Sequence, residues 1–357
     1  RQRQMCIRDR YVFTAILIIA CPCALALSAP FTLGNLLRIF GKKGFYLKDG
    51  FVIEKLAKID TIIFDKTGTI TASNKNTITY EGEVLNADEE ILLKNTLRGS
   101  NHPLSRQLYQ LLKANNIIPL DEFKETTGKG LEARVNNQNI KVGSASFVNK
   151  NAAKEALKTS VHISTNNKYK GRYVFYNQYR KGISKLFNKL NKKYELVILS
   201  GDNASEKENL CKLLPINTKL LFNQQPYDKL IYIKHHQEEG AKIVMIGDGL
   251  NDAGALKQSD VGIAISENVN IFSPACDAIL DARNITELNK YLNTCKKGIN
   301  IIKASFILSF IYNIIGLLFA VTGHLSPVIA AILMPLSSIS IVVFTTLCTN
   351  FVSRKLI

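Results

Sequence analysis

Residues 59–71 read Ile59-Asp60-Thr61-Ile62-Ile63-Phe64-Asp65-Lys66-Thr67-Gly68-Thr69-Ile70-Thr71. The run up to Phe64 has the length and the β-branched content of a buried strand. An Asp and a tight Gly turn directly after it put a carboxylate at a sheet's C-terminal edge, where open α/β sheets bind their ligands. The pattern recurs in Glu195–Leu199 before Ser200-Gly201-Asp202, and in residues 241–246 before Gly247-Asp248-Gly249. Residues 261–265 read as another strand, and 203–214 and 228–239 as helices between strands. Such alternation predicts a parallel, doubly wound sheet. One Asp after a strand is often only a turn or a helix cap. Three acidic loops meeting on one edge are harder to explain that way.

Working outward, the apolar residues are unevenly spread. Residues 11–39 carry Arg38 as their only charge, and 304–353 carry no Lys, Arg, Asp or Glu. A membrane span needs about 20 apolar residues. The first stretch fits one helix over 11–40, and the last fits two, at 298–323 and 325–350, joined through Gly323-His324-Leu325-Ser326-Pro327. A buried hairpin in a soluble protein is the alternative, but charge-free runs of this length argue against it. The net charge is +17, from 46 Lys and Arg against 29 Asp and Glu. A nucleic-acid binder could share that balance. Here the basic residues are scattered through 38–303, between the spans, where the positive-inside rule expects cytoplasmic sequence. Three spans then place the N-terminus outside. That leaves Arg1, Arg3, Arg8 and Arg10 on the wrong side, so residues 1–10 are read as a non-native leader. Seven cysteines with no CxxC pair suggest free thiols in a reducing compartment.

Between the catalytic strands lies an inserted module, residues 74–171. It shows helical patterns at 87–97 and 103–114, then short strands at 131–135 and 139–142 around Asn136-Asn137-Gln138. Residues 41–73 and 172–297 therefore make one domain, interrupted by 74–171.

The acidic loops have the composition for phosphoryl transfer, which must neutralise phosphate charge and hold the group in line. Asp65 is the candidate nucleophile. Asp248 and Asp252 offer hard oxygen ligands for Mg²⁺. Ser200 offers a hydroxyl and Lys229 a positive charge. In the first span, Pro22 removes an amide donor and clashes with the carbonyl of Ile18, so the helix opens locally. Unwinding lets Cys21 and Cys23 face one ion, and soft thiolates favour Cu(I) or Zn²⁺. Two buried apolar cysteines are the bland alternative. Polar partners stand on the other spans: Tyr312 and Asn313, and Met334 with Ser338 one turn later. Tyr312 and Asn313 could equally be glue between helices.

DKTGTIT, SGDN, QPYDK and GDGLNDAGAL occur in the order found in P-type ATPases of the haloacid dehalogenase superfamily, which the chain resembles throughout after residue 10. The resemblance implies a haloacid-dehalogenase-like, Rossmann-type phosphorylation domain, an inserted α+β nucleotide-binding domain and three transmembrane helices. It implies that ATP phosphorylates Asp65, with Lys66, Thr67, Thr69, Gly201, Asp202, Asn251 and Asp252 completing the site. Mg²⁺ would lie on Asp65, Asp248 and the Thr67 carbonyl. The inserted module resembles the nucleotide-binding domain of heavy-metal P-type ATPases, in which the counterparts of His102, Gly128, Gly130 and Gly143 meet the adenine end of ATP. It departs from that pattern in Asn101, Leu97 and Ser144; elsewhere Ser200 stands where Thr is usual and Gly254 where Pro is usual.

CPC, YN and MxxSS together resemble the Cu(I)-exporting type, since the Lys and Asp usual in the last helices of zinc pumps are absent. ACPCALALSAPFTLGN, NHPLS and SENVNIFSPACD resemble pumps that supply copper for cbb-type cytochrome oxidase assembly, implying a copper chaperone and assembly factors as partners and a bacterial inner membrane as location. No Thr-Gly-Glu actuator loop occurs, so the expectation is the C-terminal half of a pump that accepts phosphate but does not complete the cycle. The other readings are a membrane-anchored phosphatase of the same superfamily and a non-catalytic copper-binding truncation product. Against the first, Thr67 stands where such phosphatases carry a second Asp.

Overall fold

The structure is a computed structural model that describes residues 2–21, 23–114, 116–126, 128–148, 159–202, 204–249, 252–267 and 276–356. Its strands are β1 (Phe45–Leu47), β2 (Thr61–Asp65), β3 (Thr71–Gly82), β4 (Glu122–Thr126), β5 (Gly130–Val135), β6 (Gln138–Gly143), β7 (Ser160–Thr165), β8 (Lys168–Tyr179), β9 (Glu195–Leu199), β10 (Lys219–Leu221), β11 (Ile243–Gly247), β12 (Val261–Ser266) and β13 (Ala278–Asp281). Its helices are α1 (Gln2–Ile19), α2 (Cys23–Lys42), α3 (Gly50–Lys58), α4 (Ala87–Arg98), α5 (Pro103–Leu111), α6 (Ala145–Val148), α7 (Ile183–Leu190), α8 (Lys207–Leu213), α9 (Pro226–Glu238), α10 (Ala253–Gln258), α11 (Leu288–Val321) and α12 (Pro327–Ser353). The chain divides into two units. One comprises 1–70, 181–202 and 211–357, and the other 71–180 and 203–210.

The first unit holds a seven-stranded sheet in the order β1-β13-β12-β11-β2-β9-β10. Only β1 runs antiparallel, against β13. β2 lies between β11 and β9 and is parallel to both, so the loops after Asp65, Leu199 and Gly247 leave the same edge. Every residue of β2 and β11 is buried, as expected for strands covered on both faces. Ile63, Val197, Leu199, Ile243 and Met245 pack there with Ile233 of α9 and Leu256 of α10.

Three helical stretches are long and apolar enough to cross a membrane: residues 10–42, 282–321 and 327–353. The break expected near Pro22 falls between α1 and α2, although Pro22 itself lies outside the described residues. The candidate span starts at Arg10, one residue from the start expected, within a helix α1 that begins at Gln2. The start expected at 298 moves, because α11 runs unbroken from Leu288 for 34 residues, about 51 Å at 1.5 Å per residue. Its first three turns carry Lys290, Lys296 and Lys297, and Gly298 at the boundary does not stop the helix: it gives room to Leu36 of α2, which a Cβ there would strike. Tyr291 in this extension packs on Phe45 (4.9 Å between ring centroids) and edge-on to Phe40 (5.5 Å). Its hydroxyl donates to the Lys43 carbonyl at 2.7 Å. The membrane helices α2 and α11 are thereby tied to the edge of the catalytic sheet. Deeper in the bundle, small and polar residues let the helices approach: Ser28 of α2 bonds Ser305 of α11, and Asn35 Nδ2 donates to Thr349 Oγ1 of α12 at 2.5 Å.

The second unit is a six-stranded antiparallel sheet, β3-β8-β7-β6-β5-β4, with α4 and α5 packed against it. Asn86 and Glu89 form the capping box that starts α4. The expected turn at Asn136-Asn137 is present, with both residues at positive φ (48° and 67°). Asn166 and Asn167 repeat it between β7 and β8 at φ 51° and 60°. Asn tolerates this left-handed pair, whose twist suits a two-residue hairpin.

Candidate functional site

Asp65 ends β2 and is 5% exposed. Lys229, in the first turn of α9, reaches across to place Nζ 2.5 Å from Asp65 Oδ1 and 2.7 Å from Asp252 Oδ1. Pro226 at the start of α9, with Gln225 and Asp228 closing its first turn, fixes where Lys229 emerges. Burial raises the Asp65 carboxyl from 3.8 to about 7; the charge of Asp252 adds to this, Lys229 opposes it, and Asp248 adds further. Asp252 is raised too, by burial first, with Lys229 opposing and Asp248 adding. Burial also works against the charge on Lys229, but the two carboxylates outweigh it and hold the amine above its ordinary value. Lys229 therefore does not fully offset the burial of Asp65 and Asp252.

After Asp65 the backbone turns sharply, with Gly68 at φ 74°. A residue with a Cβ would be strained there. The turn delivers buried Lys66 to Asp202, Nζ to Oδ2 at 2.6 Å, and the Thr67 hydroxyl donates to the same oxygen at 3.2 Å. Ser200 Oγ accepts from the Asp202 amide at 3.1 Å. Thr69 is fully buried beneath the turn, and Gly201 is exposed beside Asp202. Sequence-distant Asp65, Lys66, Thr67, Ser200, Asp202, Lys229, Asp248 and Asp252 thus share one edge; Asn251 lies outside the described residues.

A hard divalent cation fits this edge. Asp252 Oδ2 is buried without a hydrogen-bond partner, and a Cβ at Gly247 would come within 2.7 Å of it. The carboxylates of Asp65, Asp248 and Asp252 offer the hard oxygen ligands that Mg²⁺ requires.

In the second unit, His102, Gly128, Gly130 and Gly143 come together around a cavity of about 310 Å³. His102 caps α5, its Nδ1 accepting from the Leu104 amide at 3.3 Å, so its placement has a structural cause as well. Gly130 and Gly143 face each other across β5 and β6, and a Cβ on Gly143 would strike the Lys129 carbonyl. Sequence reasoning missed Ser100 and Glu125, which also line the cavity and bond to each other at 2.8 Å. Nothing in the spacing reveals Glu125, because β4 reaches the cavity only through sheet pairing. Leu97, where an acidic residue is usual, is instead wholly buried in the core.

Between the membrane helices a cavity of about 320 Å³ is lined by Cys21, Tyr312, Asn313 and Met334. Two expected ligands do not line it. Ser337 takes the place assigned to Ser338, because the residue three after Met334, and not four, faces the opening. Cys23 is joined to Cys21 in a disulfide, which corrects the expectation of free thiols for this pair. The interruption of the helix after α1 does bring both sulfurs together. Gly316 allows the approach, since a Cβ there would meet Ile19 at 2.9 Å.

A mostly parallel sheet with converging acidic loops, and an antiparallel unit inserted after the strand that ends in Asp65, defines a haloacid dehalogenase-like hydrolase, and that family's sequence profile matches residues 59–260. The chain is 31% identical to a copper-exporting P-type ATPase of Staphylococcus saprophyticus, over 92% of this chain and 43% of that protein. It is likewise 31% identical to the nitrogen fixation protein FixI of Rhizobium leguminosarum, over 93% of this chain and 44% of that one. A zinc-transporting PIB-type ATPase shares the fold (TM-score 0.77, 23% identity, 93% of this chain, 56% of that one). The catalytic domain of the CPx-ATPase CopB-B matches 72% of this chain and 98% of its own (TM-score 0.54, 27% identity). The chain belongs to the haloacid dehalogenase-like hydrolases and, within them, to the heavy-metal P-type ATPases. It spans less than half the length of these curated relatives. It is an integral membrane protein with its catalytic units on the cytoplasmic side.

Proposed function

We propose that this chain is the catalytic and ion-binding part of an ATP-driven Cu(I) exporter that is phosphorylated on Asp65. The observation that carries the reading is the buried Asp65 carboxylate, held at the sheet edge by Lys229 at 2.5 Å. An Asp65 oxygen attacks the γ-phosphorus of ATP, ADP leaves, and water later releases phosphate from the aspartyl phosphate. This two-step chemistry is the established one of aspartyl-phosphate ATPases. Lys229 steadies negative charge on Asp65 and on the incoming phosphoryl oxygens. Lys66 and Thr67, anchored on Asp202, fix the turn that aims Asp65. Bound Mg²⁺, held by Asp65, Asp248 and the Thr67 carbonyl, would neutralise phosphate charge. The cavity beside His102 and its glycines is assigned to the adenine end of the nucleotide.

Cu(I) as cargo is supported by a cavity that gathers two soft donors, a cysteine sulfur and a thioether, beside an amide. Two reduced thiolates are required, so copper loading takes place on the dithiol form of Cys21 and Cys23. The wording of residues 20–35, 101–105 and 266–277 resembles that of pumps serving cbb-type oxidase assembly and supports the finer reading that the copper goes there, with a chaperone as donor. A phosphatase reading finds no second acid, since Thr67 occupies that place and its hydroxyl is engaged with Asp202.

The test is phosphorylation of the purified chain and its Asp65→Asn form with labelled ATP and Mg²⁺, with Cu(I) or Zn²⁺ under reducing conditions. Cu(I)-dependent, hydroxylamine-sensitive label absent from the variant is the expected result. Equal label in both forms would sink the assignment.

A further inference from the structure

Helix α9 presents a second, unrelated group of side chains at its opposite end. His235, His236 and Glu239 stand on its last turn, and one ligand atom from each lies within 4.8 Å of the others. We propose that they form a surface site for a borderline divalent metal ion of the Zn²⁺ class, completed by water. The site is independent of the transported ion and of the phosphorylation reading.

Ring geometry favours a shared ion. Zinc bound at about 2.0–2.1 Å to one nitrogen of each of two imidazoles, at a tetrahedral angle, sets their ring centroids about 5 Å apart. The centroids of His235 and His236 are 5.7 Å apart, although adjacent residues on a helix normally diverge. His236 is already oriented: its Nδ1 is 3.0 Å from the Tyr232 carbonyl, and its ring lies on that of Tyr232 at 4.1 Å between centroids. A carbonyl accepts only, so Nδ1 carries the proton and Nε2 keeps its lone pair for a metal. This backing by a second group is typical of metal-binding histidines. Glu239 Oε1 lies 3.7 Å from His235 Nδ1, close enough to share an ion.

Location adds a second argument. The last turn of a helix carries the negative end of its dipole, which favours a cation. Two imidazoles and one carboxylate select against Mg²⁺ and Ca²⁺, which take oxygen ligands. Lys229, the partner of Asp65, stands on the first turn of the same helix, so an ion here clamps the far end of the helix that positions that lysine.

The experiment titrates Zn²⁺ alone into the full chain carrying Cys21→Ser and Cys23→Ser, which removes the membrane thiols, and follows heat and melting temperature. We expect one equivalent bound through these residues and a rise in melting temperature with zinc. Both effects disappear in the added His235→Gln/His236→Gln pair, and affinity falls about tenfold or more in Glu239→Gln. Glu239 has a largely exposed side chain, so that variant reports on binding and not on folding. An isotherm unchanged by Glu239→Gln and by the histidine pair would overturn the proposal.

Discussion

At the scale of single residues, the site is governed by a contest between burial and charge. An exposed Asp65 beside Lys229 would be held below the usual carboxylate range. Burial instead carries it from 3.8 up to about 7. The folded chain then binds more protons than the unfolded chain between those values. Stability from this group is fully present below pH 3.8 and is lost as the pH rises through about 7. Asp65→Asn removes the ionisation. We expect the variant to be more stable than the parent at pH 8, by about 1–3 kcal/mol, a discounted figure because Lys229 couples to the shift. Urea unfolding of both forms at pH 5 and pH 8 checks this. A parent that gains stability on Asp65→Asn from pH 5 to pH 8 would contradict it.

At the scale of elements, glycines differ in what they do. Gly128 is at φ 72° with open space around its missing Cβ, so only backbone preference is at stake. Gly143 lies where β6 meets β5, and a Cβ there strikes the Lys129 carbonyl. Gly128→Ala should cost about 1–2 kcal/mol of stability, the price of a left-handed Ala. Gly143→Ala pushes two strands apart at the cavity floor, and nucleotide affinity should fall tenfold or more. Fluorescent-nucleotide titration of the two variants separates them; equal affinities would remove Gly143 from the pocket. The three-ring packing of Phe40, Phe45 and Tyr291 works at this scale as well, joining α2 and α11 to the sheet edge.

At the scale of the whole molecule, charge and hydropathy fix orientation. Three spans with the basic residues between and after them place the 323–326 turn on the side opposite the catalytic units. In intact cells, Ser326→Cys should react with a membrane-impermeant maleimide, and native exposed Cys211 only after lysis. Labelling of Cys211 in intact cells would reverse the topology.

The sequence by itself determined the strands that lead into Asp65, Ser200 and Asp248, because a buried strand must be apolar and the residue that leaves it need not be. It determined the spans, because no hydrocarbon interior tolerates the charges found elsewhere in the chain. It also announced the Asn136-Asn137 hairpin through a dipeptide that accepts positive φ. Tertiary structure decided the rest. Lys229 meets Asp65 164 positions away, through the order in which β9, β2 and β11 pair. Glu125 enters a cavity whose other walls include α5, β5, β6 and β7. Ser337, not Ser338, faces Met334's cavity, and α11 continues past the end of its apolar stretch. The reason is physical: local sequence sets periodicity and turn chemistry, whereas burial, which raises Asp65 against its lysine, depends on what distant segments cover.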